Sequence, residues 1–409
     1  MKKISYCRNC KNDKFEKLFS LGNLSYTGKF PKQQKTNIKK ETITLIMCNK
    51  CKLVQLDRNF NPKYLYGKDY GYRSGINKTM TEHLTQTTKE LSKTVNLKKE
   101  DWVLDIASND GTLINSYKQK GLNKIGLDPI ADKYKKFYEK NSIIINDFFS
   151  KEALTRKNIN KKFRIITALS VFYDLKDPNA FLNDVKILLK NDGIFLLEFA
   201  DLLSIVKYKL FDTICHEHLE YYSAKVVIKM LKKNNLKLLN IKKNNINGGS
   251  VRFYISCKNS KYKINNRNIK NYLLEENEFM IDKKITFTKL FGNIMDLKIN
   301  LNKKLTKLNK NGKKIHGYGA STKGNVLLQY FKIDNKILKC IADRNPEKDG
   351  LYTPGTKVKI LTEEKSRKLK PDYYLVLPWH FKKEILAREK DMRNKGVKFI
   401  FPLPNFKIS

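Results

Sequence analysis

The sequence predicts an α/β protein in three parts: a small cysteine-bearing module, a central doubly wound sheet, and a second αβ unit at the carboxyl end. Three observations carry that expectation. Two Cys-x-x-Cys pairs stand within the first fifty-odd residues, apolar runs of strand length alternate with helical stretches from about Trp102, and the alternation restarts near Lys314. Strands alternating with helices imply crossover connections and parallel sheets covered on both faces. With 409 residues, 41% of them hydrophobic, the chain is long enough to bury several cores.

The first part, residues 1–66, carries Cys7-Arg-Asn-Cys10 and Cys48-Asn-Lys-Cys51. Each two-residue gap is a tight turn that points both sulfurs the same way, and four such thiolates suit a tetrahedral Zn²⁺. Four protein ligands close the coordination sphere, so the zinc is expected to be structural. Ordinary buried cysteines or a redox pair are the other readings of the same spacing. The 37 residues between Cys10 and Cys48 leave room for strands, one of them over Ile43 to Met47. Seven cysteines, four of them in close pairs, fit a reducing compartment better than a disulfide framework.

The central part, residues 67–259, offers strands at Val103 to Ala107, Lys124 to Asp128, Ile143 to Asn146, Ile165 to Val171 and Ile194 to Phe199. Two further runs, Leu236 to Ile241 and Val251 to Ser256, are expected to close a seven-stranded sheet as an antiparallel pair. Asp105-Ile-Ala-Ser-Asn-Asp-Gly111 links the first strand to a helix expected over Thr112 to Lys120. A turn at that place, with small residues, is where such sheets accept a nucleoside. Gly126-Leu-Asp128 ends the second strand with an acid placed to hold two ribose hydroxyls. Too few glycines are present for a dinucleotide fingerprint. The pair of motifs resembles class I S-adenosylmethionine methyltransferases, which implies Asp105 near the methionine amino group, Ser108, Asn109, Asp110 and Gly111 around the cofactor, Asp128 on the ribose, and Asp147 and Phe148 beside the adenine.

Beyond the fifth strand, Phe211 to Ser223 contains His216-Glu-His218, the densest polar cluster of the chain. A histidine near neutral pKa can remove a carbon-bound proton next to a carbonyl, with a neighbouring carboxylate in support. Adjacent residues cannot all face one way, so one of the two histidines is expected to be structural. Residues 260–311 read as a helical connector, with Leu273, Phe279, Ile285, Leu290, Ile294, Leu297 and Leu301 facing inward. The last part, residues 312–409, has strands at Lys314 to Tyr318, Lys339 to Asp343, Asp372 to Leu377 and Val397 to Phe401. Its Gly317-Tyr-Gly-Ala-Ser-Thr-Lys323 turn sets Ser321 and Lys323 at a helix start, an anion site suited to a diphosphate. It lacks the GxxxxGK[ST] arrangement of an ATPase. Asp343, ending the next strand, is a candidate to border the nucleoside.

The Cys pairs, the Ser108-Asn-Asp-Gly111 turn, the His-Glu-His segment, Asn247-Gly-Gly-Ser-Val-Arg252 and the Gly317 to Lys323 turn resemble, in this order, the sugar-nucleotide C-methyltransferases. Those enzymes methylate C3 of nucleoside-diphosphate 4-keto-deoxysugars. The resemblance spans nearly the whole chain. It implies S-adenosylmethionine as methyl donor, Glu217 and His218 as a catalytic pair with His218 the base, and Tyr70 and Tyr72 as active-site tyrosines. Arg73, Ser74, Cys215, Tyr222, Asn247, Arg252, Ser321, Lys323 and Asp343 are expected toward the substrate, and Tyr70, Tyr72 or His216 toward the enolate oxygen. Two positions depart from the family: Cys215 stands where many members have Tyr, and Phe172-Tyr-Asp174 stands where they have a His after the fourth strand.

The formal net charge is +43, yet only 11 of the 83 basic residues are Arg and the lysines run through every segment. A nucleic-acid binder more often gathers its basic residues on one face and uses Arg for bidentate contacts. A zinc-containing nucleic-acid-binding protein or an RNA methyltransferase remains the alternative, separable by salt titration. No run of roughly 18 uncharged apolar residues is present, and the first 15 residues hold no signal-type stretch. The expected protein is cytoplasmic, free of membrane, and a monomer or homodimer.

Overall fold

The computed structural model describes residues 2–67 and 70–409. Strand β1 (Phe15–Ser25) pairs antiparallel with β2 (Lys40–Cys48), which pairs with β3 (Val54–Leu56). The tight Cys48–Cys51 knuckle is thus the corner between β2 and β3.

Five parallel strands follow: β4 (Trp102–Ile106), β5 (Asn123–Leu127), β6 (Ile143–Ile145), β7 (Phe163–Leu169) and β8 (Leu189–Phe199). After β8 the chain makes the two-residue β9 (Glu220–Tyr221), then β10 (Leu236–Asn244) and β11 (Ser250–Cys257). The central sheet has the order β10-β11-β8-β7-β4-β5-β6, with β11 antiparallel to both neighbours as expected. The order reverses beside β4, and that switch point opens a crevice at the carboxyl ends of the strands. The helix after the β4 turn spans only Thr112–Asn115, shorter than the expected Thr112 to Lys120. Ser116 Oγ bonds back to the Leu113 carbonyl and lies 2.8 Å from Thr88 Oγ1, contacts that compete with further helical bonds. Strand β9 belongs to the other sheet: Val54 pairs with Tyr221 and Gln55 with Glu220, so the amino-terminal sheet is completed by the segment that follows His218.

Helices Asn266–Glu278 and Lys284–Lys310 form the connector. In the longer one Phe287, Leu290, Ile294, Leu301, Leu305 and Leu308 make the buried stripe at helical spacing. Ile285, expected inward, lies two positions off that stripe and is exposed. The last sheet contains β12 (Ile315–Tyr318), β13 (Ile341–Asp343), β14 (Ile360–Thr362), β15 (Tyr373–Val376), β16 (Lys398–Phe401) and β17 (Lys407–Ile408). Its order is β14-β13-β12-β15-β16-β17, parallel except at β17, with its switch point beside β12. Helix Thr322–Phe331 docks on the amino-terminal module through Gln329, bonded to both the amide and the carbonyl of Ser25, and through Asn325 on the Thr27 carbonyl. Among the described residues no helix is long and apolar enough to cross a membrane.

Candidate active site

The four sulfurs of Cys7, Cys10, Cys48 and Cys51 lie within 4.8 Å of one another, with Cys7–Cys51 at 3.6 Å and Cys10–Cys48 at 3.5 Å. A zinc–thiolate tetrahedron has edges of about 3.8 Å, so donor type and size both fit the metal. The two knuckles repeat one hydrogen-bond pattern. Cys7 and Cys48 amides donate to the Asn12 and Leu53 carbonyls, while Lys11 and Lys52 amides donate to the Cys7 and Cys48 carbonyls. Gln55 Nε2 donates to Cys7 Sγ at 3.2 Å, a partner that favours the thiolate. Buried Arg8, inside the first knuckle, donates to the carbonyls of Leu56, Arg58 and Leu219 and lies 3.6 Å from Glu220. The zinc module therefore grips both sides of the β3–β9 seam, directly after His218.

A cleft of about 570 Å³ opens between the carboxyl ends of the central and last sheets, with Phe30 of the first module on its wall. At the central end, Ala107, Asn109 and Gly111 adopt φ of 58°, 51° and 77°. A Cβ on Gly111 would meet the Tyr138 ring at 2.8 Å, and Tyr138 in turn donates to the Asn109 carbonyl at 2.9 Å. Its hydroxyl also lies 2.7 Å from Ser108 Oγ. Asp128 accepts from the Asn109 amide at 2.9 Å and from the Ile130 amide at 2.8 Å, which aims its carboxylate across the turn with lone pairs left for a diol. Asp105 accepts from Thr167 Oγ1 at 2.6 Å, and burial pushes its carboxyl up to about 7. Residues 70–76 lie over this turn: Asn109 Nδ2 donates to the Tyr72 carbonyl, Ser74 N to Asn109 Oδ1, and both Gly75 N and Arg73 Nε to Asp110. A narrow turn flanked by two carboxyl groups fits a nucleoside that carries positive charge, as S-adenosylmethionine does.

His218, Glu217, Tyr70 and Tyr72 line the middle of the cleft. His218 Nδ1 is 2.7 Å from the Thr213 carbonyl, which can only accept, so Nδ1 carries the proton and Nε2 the lone pair. Burial holds its pKa down to about 3, and the ring rests 4.1 Å from Tyr173. Glu217 accepts from Thr27 Oγ1 at 3.0 Å.

The far end repeats the first turn. Asp343, at the end of β13, accepts from the Ala320 amide at 2.6 Å and the Asn345 amide at 2.7 Å, the same pair of relations Asp128 has with its own turn. Ser321 caps the helix by accepting from Gly324 N. Two lysines stand beside this turn: Lys348 Nζ donates to the Ala320 carbonyl at 2.7 Å, and Lys323 Nζ donates to the Asn247 carbonyl at 2.8 Å. Trp379 Nε1 bonds Asp212 at 2.9 Å and ties the loop below His218 to this domain.

Several expected site residues do not face the cleft. His216 is fully buried in the first module, its Nε2 3.1 Å from the Glu41 carbonyl and its ring between Tyr26 and Phe60. The chain turns through Cys215–Glu217, which sends adjacent side chains to opposite sides and leaves Cys215 buried behind Glu217. Tyr222 is buried between Phe172 and Phe199. Arg252 is opposite Glu198 in the β8–β11 register and is paired there, with Thr87 and His83 as further partners. Asp147 pairs with Arg156, while Phe148 and its neighbour Phe149 line the cleft. Asp110 and Gly111 shape the turn from behind. Tyr66 and Asp174 also line the cleft, and Tyr138 and Thr167 brace its first turn and Asp105; Asp174 lies in the segment that departs from the family pattern, whereas no motif announces the other three.

Residues 7–66 match the family described as "Putative zinc binding domain", residues 76–241 "Methyltransferase domain", and residues 245–404 "C-methyltransferase C-terminal domain". The chain is 25% identical to C-methyltransferase NovU of Streptomyces niveus over 412 residues, covering 99% of this chain and 97% of that protein. Similar solved structures include an S-adenosylmethionine-dependent methyltransferase from Clostridium acetobutylicum, with 16% identity, coverage of 43% of this chain and 92% of that one, and a TM-score of 0.34. Another is the Synechocystis magnesium protoporphyrin IX methyltransferase with bound SAH, at 15% identity, 47% and 91% coverage and a TM-score of 0.33. The three family matches follow one another from residue 7 to residue 404, on a Cys₄ cluster and a central sheet with a nucleoside turn at its switch point. The chain is an S-adenosylmethionine-dependent, zinc-binding C-methyltransferase.

Proposed function

We propose that the methyl acceptor is a nucleoside-diphosphate keto-deoxysugar, with its nucleotide at the Ala320 turn and its ketone beside His218. The observation that carries this reading is one continuous cleft with two nucleoside-type turns, acid-flanked at Asp105 and Asp128 and lysine-flanked at Lys323 and Lys348, with a neutral imidazole between them. A cationic donor and an anionic acceptor have separate places there. Asp105, Ser108, Asn109, Asp128 and Phe148 would hold the donor, with Asp110 and Gly111 setting the turn. Arg73, Ser74, Asn247, Ser321, Lys323 and Asp343 would hold the acceptor.

Bound S-adenosylmethionine supplies an electrophilic methyl group on a sulfonium. His218 Nε2 takes the proton from the carbon next to the ketone. The C–H pair becomes the C=C bond of an enolate, and the carbonyl π pair moves to oxygen. The nucleophilic carbon then forms its bond to the methyl, while the pair of the breaking S–CH₃ bond stays on sulfur. Thr213 fixes the base tautomer, and burial keeps it unprotonated across the working pH range. Such an enzyme would act in the cytoplasm on a diffusible acceptor, without nucleic acid. Incubation with methyl-labelled donor and a panel of nucleotide-linked keto sugars should place label on carbon; label on oxygen or nitrogen would contradict the proposal.

A further inference from the structure

Two polar atoms in the cleft have no use in the chemistry above. Tyr66 Oη and Asp174 Oδ1 are buried against each other, and among the described residues no other group bonds either atom. Both residues line the cleft and lie beside each other. The short turn Phe172–Asp174 also lays Tyr173 against the His218 ring, with 4.1 Å between ring centroids, and Glu217, the neighbour of His218 in the chain, acts on both Tyr66 and Asp174. Among the described residues no Lys or Arg forms an ion pair with Asp174 or Glu217. The charged groups acting on Asp174 are the carboxylates of Glu217 and Glu220.

A carboxyl buried among like charges with no cation keeps its proton. Burial raises Asp174 well above the usual carboxylate range and does the same to the Tyr66 phenol. The two residues thus bring two O–H groups to the cleft lining; one can donate to the other, which leaves a buried donor that is costly unless a ligand completes it. The chemical step needs such donors where negative charge appears. His216, one candidate for that task, is enclosed in the other sheet.

We propose that the Tyr66 hydroxyl and the carboxylic acid of Asp174 form the oxyanion hole that receives the enolate oxygen. The assignment rests on the keto-sugar reading. As the proton leaves carbon for His218, charge develops on oxygen, and two O–H···O⁻ bonds in a water-poor pocket stabilise it. Both protons stay on their donors, so the pair is unchanged at the end of turnover. An acid that keeps its proton supplies a donor without adding positive charge.

The test is deuterium exchange at the carbon next to the ketone of thymidine-diphosphate 4-keto-6-deoxyglucose, with S-adenosylhomocysteine occupying the donor site. Asp174→Leu should slow exchange about a hundredfold and Tyr66→Phe about tenfold or more, with binding of the probe changed less than about threefold. Asp174→Asn, which keeps an N–H donor, should recover exchange to within about tenfold of the parent. Exchange at the parental rate in Asp174→Leu, or no recovery in Asp174→Asn, overturns the proposal. Thermal unfolding with S-adenosylhomocysteine monitors the fold, and Tyr66→Phe and Asp174→Asn decide the matter if the leucine variant is unstable. A parent enzyme that binds no keto-sugar nucleotide would defeat the functional reading itself, a result distinct from normal exchange in the variants.

Discussion

The Asn109 turn and the Ala320 turn have the same skeleton and opposite surroundings. In each, an aspartate at the end of the second strand accepts from a turn amide and from the amide two residues beyond itself. Each has a glycine at positive φ, Gly111 at 77° and Gly319 at 81°, where a Cβ would strike Tyr138 or Pro378. The backbone device is one way to bring a nucleoside close to a parallel sheet. What a turn receives is then set by its neighbours: Asp105 beside the first, Lys323 and Lys348 beside the second. The comparison teaches that like turns become unlike sites through a few side chains from other loops.

The largest effect should come from removing the imidazole between the turns. His218→Asn is expected to lower turnover by at least about a hundredfold while isothermal titration shows unchanged S-adenosylhomocysteine binding. The two aspartates should separate the sites: Asp128→Ala should weaken S-adenosylhomocysteine about tenfold or more and spare a nucleoside diphosphate, and Asp343→Ala the reverse. Loss of both ligands in either variant would break the comparison. Gly111→Ala and Gly319→Ala should each cost about 1–3 kcal/mol in urea unfolding, since backbone strain and a clash act together in both. The smallest effect is one of pH. Asp105, raised to about 7, is a neutral acid below that value and a carboxylate above it. Affinity for the cationic amino group of S-adenosylhomocysteine should therefore rise severalfold from pH 6 to pH 8, and Asp105→Asn should flatten that rise.

Much of this arrangement was legible along the chain. Apolar runs marked the parallel strands because buried strands must be apolar on both faces. The Cys knuckles were legible because a four-thiolate site needs only two tight turns. Short strands such as β14 and β17, with two or three residues each, fell below any periodic signal. Side-chain direction was harder still. Nothing in the spacing of the His216-Glu-His218 triplet tells which imidazole faces the cleft; the answer depends on β9 crossing into the amino-terminal sheet. Arg252 looked like a substrate contact, but register sets it opposite Glu198.

By itself the sequence determined what is local: the zinc knuckles, the two strand-turn-helix units and the acids that end their second strands, all set by backbone geometry within a few residues. Tertiary structure alone decided which distant groups meet, including the buried Tyr66 and Asp174 near Glu217 and the acid beside one turn against the lysines beside the other. The reason is physical: a turn's shape depends on neighbouring torsions, whereas burial, charge and the protonation of an acid depend on everything the fold packs around it.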